Sequence, residues 1–383
     1  MERVIAIKGG TVYTMEDKVL KDKVIIIKDG KIKEIANNIP ENAEVIDARG
    51  KFIYPGLVDI HTHTGLWEEG IGREGYDGNE YTDPVTPHLR ALDGINFLDR
   101  GFEEAKANGI TTVNIMPGSA NVIGGQGVAV KTTGEILLNP SGIKMALGEN
   151  PRRVYRAQKR MPSTRMGSAF LMRKALIETQ NYIKKKEKDK YLFDLKYEAL
   201  SGLFEGKYPA RIHAHRQDDI MTAIRIMEEF NIKAVIEHST EGHFVADFLS
   251  KKGIPCALGP IITTRVKQEL KFRTPETAKI YEEKGVLFAF TTDYPVIPIY
   301  GLQLSASIAL QYGLSEEMAL KAITINGAKI LGLDKRIGSI KEGKDADIII
   351  TDGDILEPVT KILYTFINGE IVYEYKGPES LLM

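Results

Sequence analysis

Five of the seven histidines stand at or just beyond the ends of short apolar runs: His61 and His63 in LVDIHTH, His213 and His215 in ARIHAH, and His238 in AVIEH. Asp293 follows a further run, LFAFT, in the string TTDYP. Imidazole nitrogen and carboxylate oxygen are good ligands for zinc and similar divalent ions, and three or four of them held by a rigid scaffold leave a coordination position open for chemistry. One histidine at a strand end reads most simply as a hydrogen-bonded side chain. The ensemble reads differently, because buried polar groups without partners are costly and a shared divalent ion would be the partner for all of them.

Such convergence needs a scaffold that brings distant strand ends to one place. Side chains at i and i+2 of a strand share a side, so His61/His63 and His213/His215 each point as a pair. Eight apolar runs (57–61, 111–115, 128–132, 143–147, 210–214, 234–238, 255–259 and 287–291) alternate with helical patterns at 93–109, 167–186, 218–230, 243–253 and 315–332. This is the texture of an α/β protein of parallel strand–helix units, and residues 57–337 match the size of a (β/α)8 TIM-type barrel, whose chemistry sits at the C-terminal strand ends. The connection 116–127, MPGSANVIGGQG, reads as loop and not helix. Residues 1–56 and 338–383 instead carry short β-branched runs between Gly-Gly, Asp-Gly and Asn-Gly turns, and are expected to form one small β-sandwich domain together.

The strings PGLVDIHTH, IHAH, IEHST, TTDYP and AITINGAKILGLDKRIGSIKEGKDADIII resemble the metal-dependent amidohydrolase superfamily, in its prolidase-like, imidazolonepropionase-like and dihydroorotase-like branches. The resemblance spans essentially the whole chain and implies a hydrolase with one or two divalent ions, zinc first among them. It implies that His61 and His63 bind the more buried ion, that His213 and His238 bind the second, and that Asp293 is both ligand and general base. His215 then faces the pocket beyond His213, where it or His238 assists the oxyanion, although the two strand-5 histidines can exchange these roles. At strand 4 the resemblance leaves two ligands open: Lys144, carboxylated to bridge two ions, or Glu149 at the start of the following segment. Each has a plain structural reading too, Lys144 snorkelling and Glu149 capping that segment.

A hydrolase of this kind cleaves a C–N bond of a small amide, cyclic amide or dipeptide through a metal-activated water. Deamination of an amidine-like heterocycle is the alternative within the same chemistry. Deaminases of this architecture pair the strand-5 histidine with a glutamate a few residues on, whereas here Arg216, Gln217, Asp218 and Asp219 follow. A scaffold without activity is the third reading, set against the full set of ligand positions. The long segment 67–93 suits a pocket wall, with His88 as a candidate substrate contact, and Arg152, Arg153, Arg156, Arg160 and Arg165 suggest a carboxylate-bearing small-molecule substrate. The glycines of NVIGGQGVAV lack a nucleotide fingerprint and read as a tight turn into strand 3.

With 51 basic and 52 acidic residues the chain has no electrostatic reason to seek nucleic acid or an anionic membrane. Nothing in it approaches the roughly 18 apolar residues of a membrane span, and the N-terminus lacks a signal-peptide core, so a cytoplasmic chain is expected. Lone Cys256 in IPCAL reads as an inert core residue in a reducing compartment. Assembly into a homo-oligomer is expected from the resemblance.

Overall fold

The computed structural model describes residues 3–16 and 18–377. All eight expected barrel strands form: β1 (Leu57–Thr62), β2 (Ile110–Ile115), β3 (Ile123–Lys131), β4 (Ile136–Ala146), β5 (Ala210–Ala214), β6 (Ala234–His238), β7 (Cys256–Leu258) and β8 (Phe288–Phe290). They neighbour one another in chain order within one sheet. β1 and β2 are buried along their whole length, as strands covered on both faces must be. The sheet nearly closes, because just beyond β8 the Asp293 amide donates to His61 O (3.1 Å) and the His63 amide to Tyr294 O (2.8 Å).

One part of the expected architecture is corrected. β3 runs antiparallel to both β2 and β4, while the other neighbouring pairs are parallel. The reason is length: residues 116–122 and 132–135 join these strands, and a parallel crossover needs a dozen residues or more. The barrel is therefore mixed, and its second and third units carry no helix. The glycine-rich stretch forms the first half of β3, and segment 84–90 lies against it, with the Gln126 amide donating to Leu89 O (2.8 Å). A Cβ at Gly125 would come within 2.6 Å of that same oxygen, and its φ of +139° already favours glycine.

The helical patterns are observed with shifted ends, as α1 (Arg100–Ala107), α3 (Arg165–Lys186), α5 (Gln217–Phe230) and Ala246–Lys252, while α2 (Glu149–Ala157), α4 (Leu195–Phe204), Glu276–Lys284 and Gly301–Gln311 are helices the sequence reading did not name. α3 begins two residues earlier than its apolar pattern because the Thr164 hydroxyl caps it, accepting from the Gly167 amide at 3.1 Å. The expected helix over 315–332 is two, Glu316–Ala322 and Ile325–Leu331. Thr324 breaks it with φ −137° and ψ −101°, its hydroxyl turned back onto Leu320 O.

The terminal segments form two sheets. One orders Lys31–Ala36, Val24–Lys28, Val4–Lys8 and Glu44–Asp47; the other orders Glu370–Glu374, Ile362–Ile367, Ile348–Thr351, Phe52–Pro55, Thr11–Tyr13 and Val19–Leu20. Ile7, Ile25 and Ile27 from the first sheet share a buried cluster with Val12, Ile53, Ile348 and Phe366 from the second. Phe52–Pro55 pairs with Ile348–Thr351 and runs straight into β1 through Gly56, where a Cβ would meet Thr111 at 2.1 Å. Residues 1–2, 17 and 378–383 of the expected terminal unit lie outside the described residues. Among the described residues, no helix is long and apolar enough to cross a membrane.

Candidate metal centre

Every residue singled out on the strand ends lies at the same rim of the barrel. His61 is in β1 and His63 just past it, Lys144 is in β4, His213 in β5, His215 one residue beyond, and His238 closes β6. Two groups form. His63 Nε2 lies 3.1 Å and His61 Nε2 3.4 Å from Asp293 Oδ1. The rings of His213, His215 and His238 are mutually 4.5–4.7 Å apart between centroids. The groups adjoin, since the rings of His61 and His238 are 5.0 Å apart.

β6 departs from simple alternation to achieve this. Glu237 and His238 are consecutive, so a regular strand would send them to opposite faces. Both nevertheless meet His61, because His238 (φ +69°) and Ser239 (φ +47°) turn the chain at the strand end, and Asp293 (φ +53°) does the same after β8. Positive φ in residues with a Cβ costs energy that the surrounding structure must supply, and such conformations cluster at functional sites.

The histidines are oriented from behind. The Nδ1 of His61 contacts Glu237 Oε2 at 2.7 Å, that of His63 contacts Met116 O at 2.7 Å, that of His215 contacts Thr240 Oγ1 at 2.7 Å, and that of His238 contacts Gly259 O at 2.9 Å. Such contacts from Nδ1 leave Nε2 as the ligand atom, the arrangement that fixes ligating histidines in metal proteins. His213 differs: both its nitrogens are buried without a hydrogen-bond partner.

Burial holds His63 below its ordinary pKa, brings His213 down to about 4, and puts His215 and His238 well below the usual value. Neutral imidazoles in a buried pocket offer lone pairs to a cation. Burial alone would raise Asp293, but His238, followed by His61 and His63, holds it well below the usual carboxylate range, so it is ionised. Burial likewise lowers fully enclosed Lys144 to about 8, and its Nζ is 2.9 Å from His61 Nε2. A cluster of imidazoles and a carboxylate, one histidine without a hydrogen bond, fits a divalent ion, and the groups His61/His63/Asp293 and His213/His215/His238 each could hold one.

Other expected residues fall elsewhere. The Glu149 carboxylate accepts from the Glu269 amide at 3.1 Å. Arg152 donates to Gly148 O, Arg156 to Ser163 O and Arg160 to Thr82 O, while Arg165 pairs with Asp219 at 3.0 Å. Four of the five arginines are thus already engaged, and Arg153 is exposed. His88 lines a cavity of about 300 Å³ with Leu66, Asp77, Pro117 and Gly124. Gly124 on its wall neighbours Lys144, a Cβ there standing 3.7 Å from Lys144 Cγ.

Sequence reasoning missed the supporting charges. Arg211, two residues before His213, is fully buried and pairs with Glu237 while donating to Ile60 O at 2.7 Å. Asp59, two residues before His61, accepts from the Thr291 and Thr292 hydroxyls at 2.7 and 2.5 Å, tying β1 to β8, and burial raises it to about 6. The two-residue period would have placed Arg211 and Asp59 on the side of the ligands. Lys267 and Glu269, on the loop after β7, also reach the second group, Glu269 Oε1 lying 3.7 Å from His213 Nε2 and 3.6 Å from His215 Nε2.

Comparison with known proteins agrees with this geometry. The chain is similar to a crystal structure of an amidohydrolase from Thermotoga maritima MSB8, with 45% identity, 97% of this chain and 100% of that one covered, and a TM-score of 0.94. It is 29% identical to the amidohydrolase tasK of Hapsidospora irregularis over 95% of its own length, while spanning 40% of that protein. It is 23% identical to the imidazolonepropionase of Picrophilus torridus, covering 92% of this chain and 93% of the relative. The model of the amidohydrolase family matches residues 52–372. With that match across the barrel and every strand-end ligand type, the chain belongs to the amidohydrolase family, whose members are hydrolytic enzymes acting on carbon–nitrogen bonds.

Proposed function

We propose that this chain is a metal-dependent hydrolase that opens a C–N bond in a small amide, cyclic amide or dipeptide. The observation that carries this reading is the position of Asp293: an ionised carboxylate within 3.1–3.4 Å of two histidines and beside the second group of three. A divalent ion there, zinc being the best match to imidazole and carboxylate donors, supplies an activated water at neutral pH and polarises the carbon under attack. His61 and His63 would hold one ion and His213 and His238 a second, with Asp293 beside His61 and His63 as ligand and base. Lys144, lowered to about 8, has an uncharged amine available to take up carbon dioxide with loss of a proton, and its carbamate would supply carboxylate oxygens as ligands beside His61. Glu149 is the weaker candidate for that place because its carboxylate is engaged by the Glu269 amide.

Asp293 takes the proton of the attacking water and returns it to the leaving nitrogen, while His215, oriented by Thr240, faces the oxyanion. The substrate lies in the cavity beside Lys144, against His88. Deamination is the second reading, consistent with the family, but both carboxylates after His215 are bound by arginines, Asp218 by Arg216 and Asp219 by Arg165. The two terminal sheets, with their shared buried cluster, are proposed to be one β-sandwich unit beside the barrel.

Turnover of the metal-loaded chain against acyl-amino acids, prolyl dipeptides, cyclic amides and aminated heterocycles tests the reading, with Asp293→Asn as control. The variant is expected to lose about 100- to 10,000-fold in kcat on the best substrate. Full activity in the variant would remove Asp293 from the chemistry.

A further inference from the structure

The loop between β7 and the helix Glu276–Lys284 brings a buried carboxylate to the second histidine group. Glu269 is 0% exposed, and its two oxygens have different surroundings. Oε2 accepts from the Glu149 amide at 2.9 Å, and the Glu149 carboxylate accepts in turn from the Glu269 amide at 3.1 Å. This reciprocal pair fixes the carboxylate against the start of α2. Gly148 makes the approach possible, since a Cβ there would stand 2.6 Å from Oε2.

Oε1 is the oxygen left over. It makes no hydrogen bond of good geometry and is ion-paired with the Lys267 ammonium at 2.7 Å, while both nitrogens of His213 are buried without a hydrogen-bond partner. Leaving the His213 nitrogens unbonded is costly, and their convergence with a carboxylate that already holds a cation favours a shared metal ion. Oε1 stands 3.7 Å from His213 Nε2 and 3.6 Å from His215 Nε2. Ligand atoms on a tetrahedral ion with bonds of about 2.0–2.2 Å lie about 3.3–3.6 Å apart, so these separations are close to those of ligands and longer than a hydrogen bond. The Lys267 ammonium supplies the positive charge here, 2.7 Å from Glu269 Oε1 and 3.2 Å from His215 Nε2. Its side chain is 23% exposed and so has a route to solvent.

Building on the metal-hydrolase reading above, we propose that Glu269 is a protein ligand of the second ion, alongside His213 and His238, and that Lys267 is a cation the ion displaces. Oε1 binds the ion, Oε2 stays on the Glu149 amide, and the loop after β7 is thereby pinned over the rim when the ion is present. Lys267, released from Glu269, then presents its ammonium at the pocket mouth.

The test is metal binding by the full chain, read as zinc content and as affinity in competition with a chelating dye. Glu269→Gln is expected to keep the first ion at wild-type affinity and to bind the second at least about 10-fold more weakly, the lower range for disturbing a metal's surroundings. Lys267→Met is expected to bind the second ion more tightly than wild type, which a merely structural Lys267–Glu269 pair would not produce. Unchanged binding of every ion by Glu269→Gln overturns the inference while leaving the hydrolase reading intact, and weaker binding in Lys267→Met overturns the displacement. A wild-type chain that takes up no zinc overturns both readings. Should Glu269→Gln fail to fold, cobalt-loaded wild-type crystals decide: Glu269 Oε1 at about 2.0–2.2 Å from an anomalous peak supports the assignment, and an oxygen outside the coordination sphere overturns it.

Discussion

Glu237 Oε2 lies 2.7 Å from His61 Nδ1, while Oε1 of the same carboxylate is held by the Arg211 guanidinium. All three side chains are inaccessible to solvent. Burial alone would raise the Glu237 carboxyl, but Arg211 and then His61 outweigh it and bring it from 4.5 down to about 2. A carboxylate with its pKa depressed in the fold stabilises the chain above the unfolded value, and that stability drains away as pH falls from about 4.5 towards 2. A shift of this size is worth about 3 kcal/mol. Glu237→Gln should therefore flatten the acid limb of the metal-free stability profile by about that amount. The same variant loosens the His61 ring and should weaken binding at the first ion by about 10- to 100-fold. Denaturation at a series of pH values and a metal titration measure the two effects, and an unchanged acid limb would disprove the coupling.

Lys144 makes a second prediction. Its amine is lowered to about 8 by burial, so the uncharged fraction grows as pH passes through that value, and only the uncharged form reacts with carbon dioxide. Carbamate formation, followed by carbon-13 NMR with labelled bicarbonate, should rise through about pH 8 and be absent in Lys144→Ala. Adding a short carboxylic acid to that variant should restore part of its metal uptake by filling the vacated space with an oxygen ligand. Full metal uptake by Lys144→Ala without any acid would remove Lys144 from the site.

The strands and the ligand types were legible for one reason: barrel strands are buried on both faces, so a polar residue at the end of a run such as AVIEH or LVDIH is conspicuous. What escaped is equally physical. Glu237 lies beside His238, and alternation assigns it to the opposite face; only the left-handed turn at His238 brings both inward, and no glycine announces that turn. Glu269 sits in a loop without periodicity, tied down by a contact to Glu149 across 120 positions of sequence. The reversed β3 was readable from the short connection 132–135, had loop length been weighed against the need for a crossover. The arginines after β4 show the converse error, since a basic run can be spent on backbone carbonyls such as Gly148 O and Thr82 O.

Lys131, at the end of β3, is fully buried with Asp345 Oδ2 at 2.6 Å and Asp347 Oδ1 at 3.0 Å. It joins the barrel to the segment leading into the C-terminal strands. Asp345 keeps Lys31 and Arg336 when Lys131 is removed, whereas Asp347, already raised by burial, has no other ion pair among the described residues. Lys131→Met should thus cost about 3–5 kcal/mol, the penalty for stranding a buried charge. Adding Asp347→Asn should return part of the loss, because the stranded group is then neutral. Chemical denaturation of the single and double variants checks this, and a double variant less stable than the single one would contradict it.

Cys256 offers a prediction far from the reacting atoms. Its thiol lies at the start of β7 in the barrel core and is 0% exposed. Burial pushes it up from 9.0 to about 12. A thiol with a raised pKa favours folding while it is protonated, so its contribution is complete below about pH 9 and is lost as pH climbs towards 12. Because the thiolate is the nucleophile, the native chain should resist a disulfide reagent at about pH 9, where an unfolded cysteine is about half ionised. Labelling should then appear only as fast as the chain opens, and denaturant should make it immediate. If native protein were labelled as quickly as unfolded protein at that pH, Cys256 would be an accessible, reactive thiol and the packing described for β7 would be wrong.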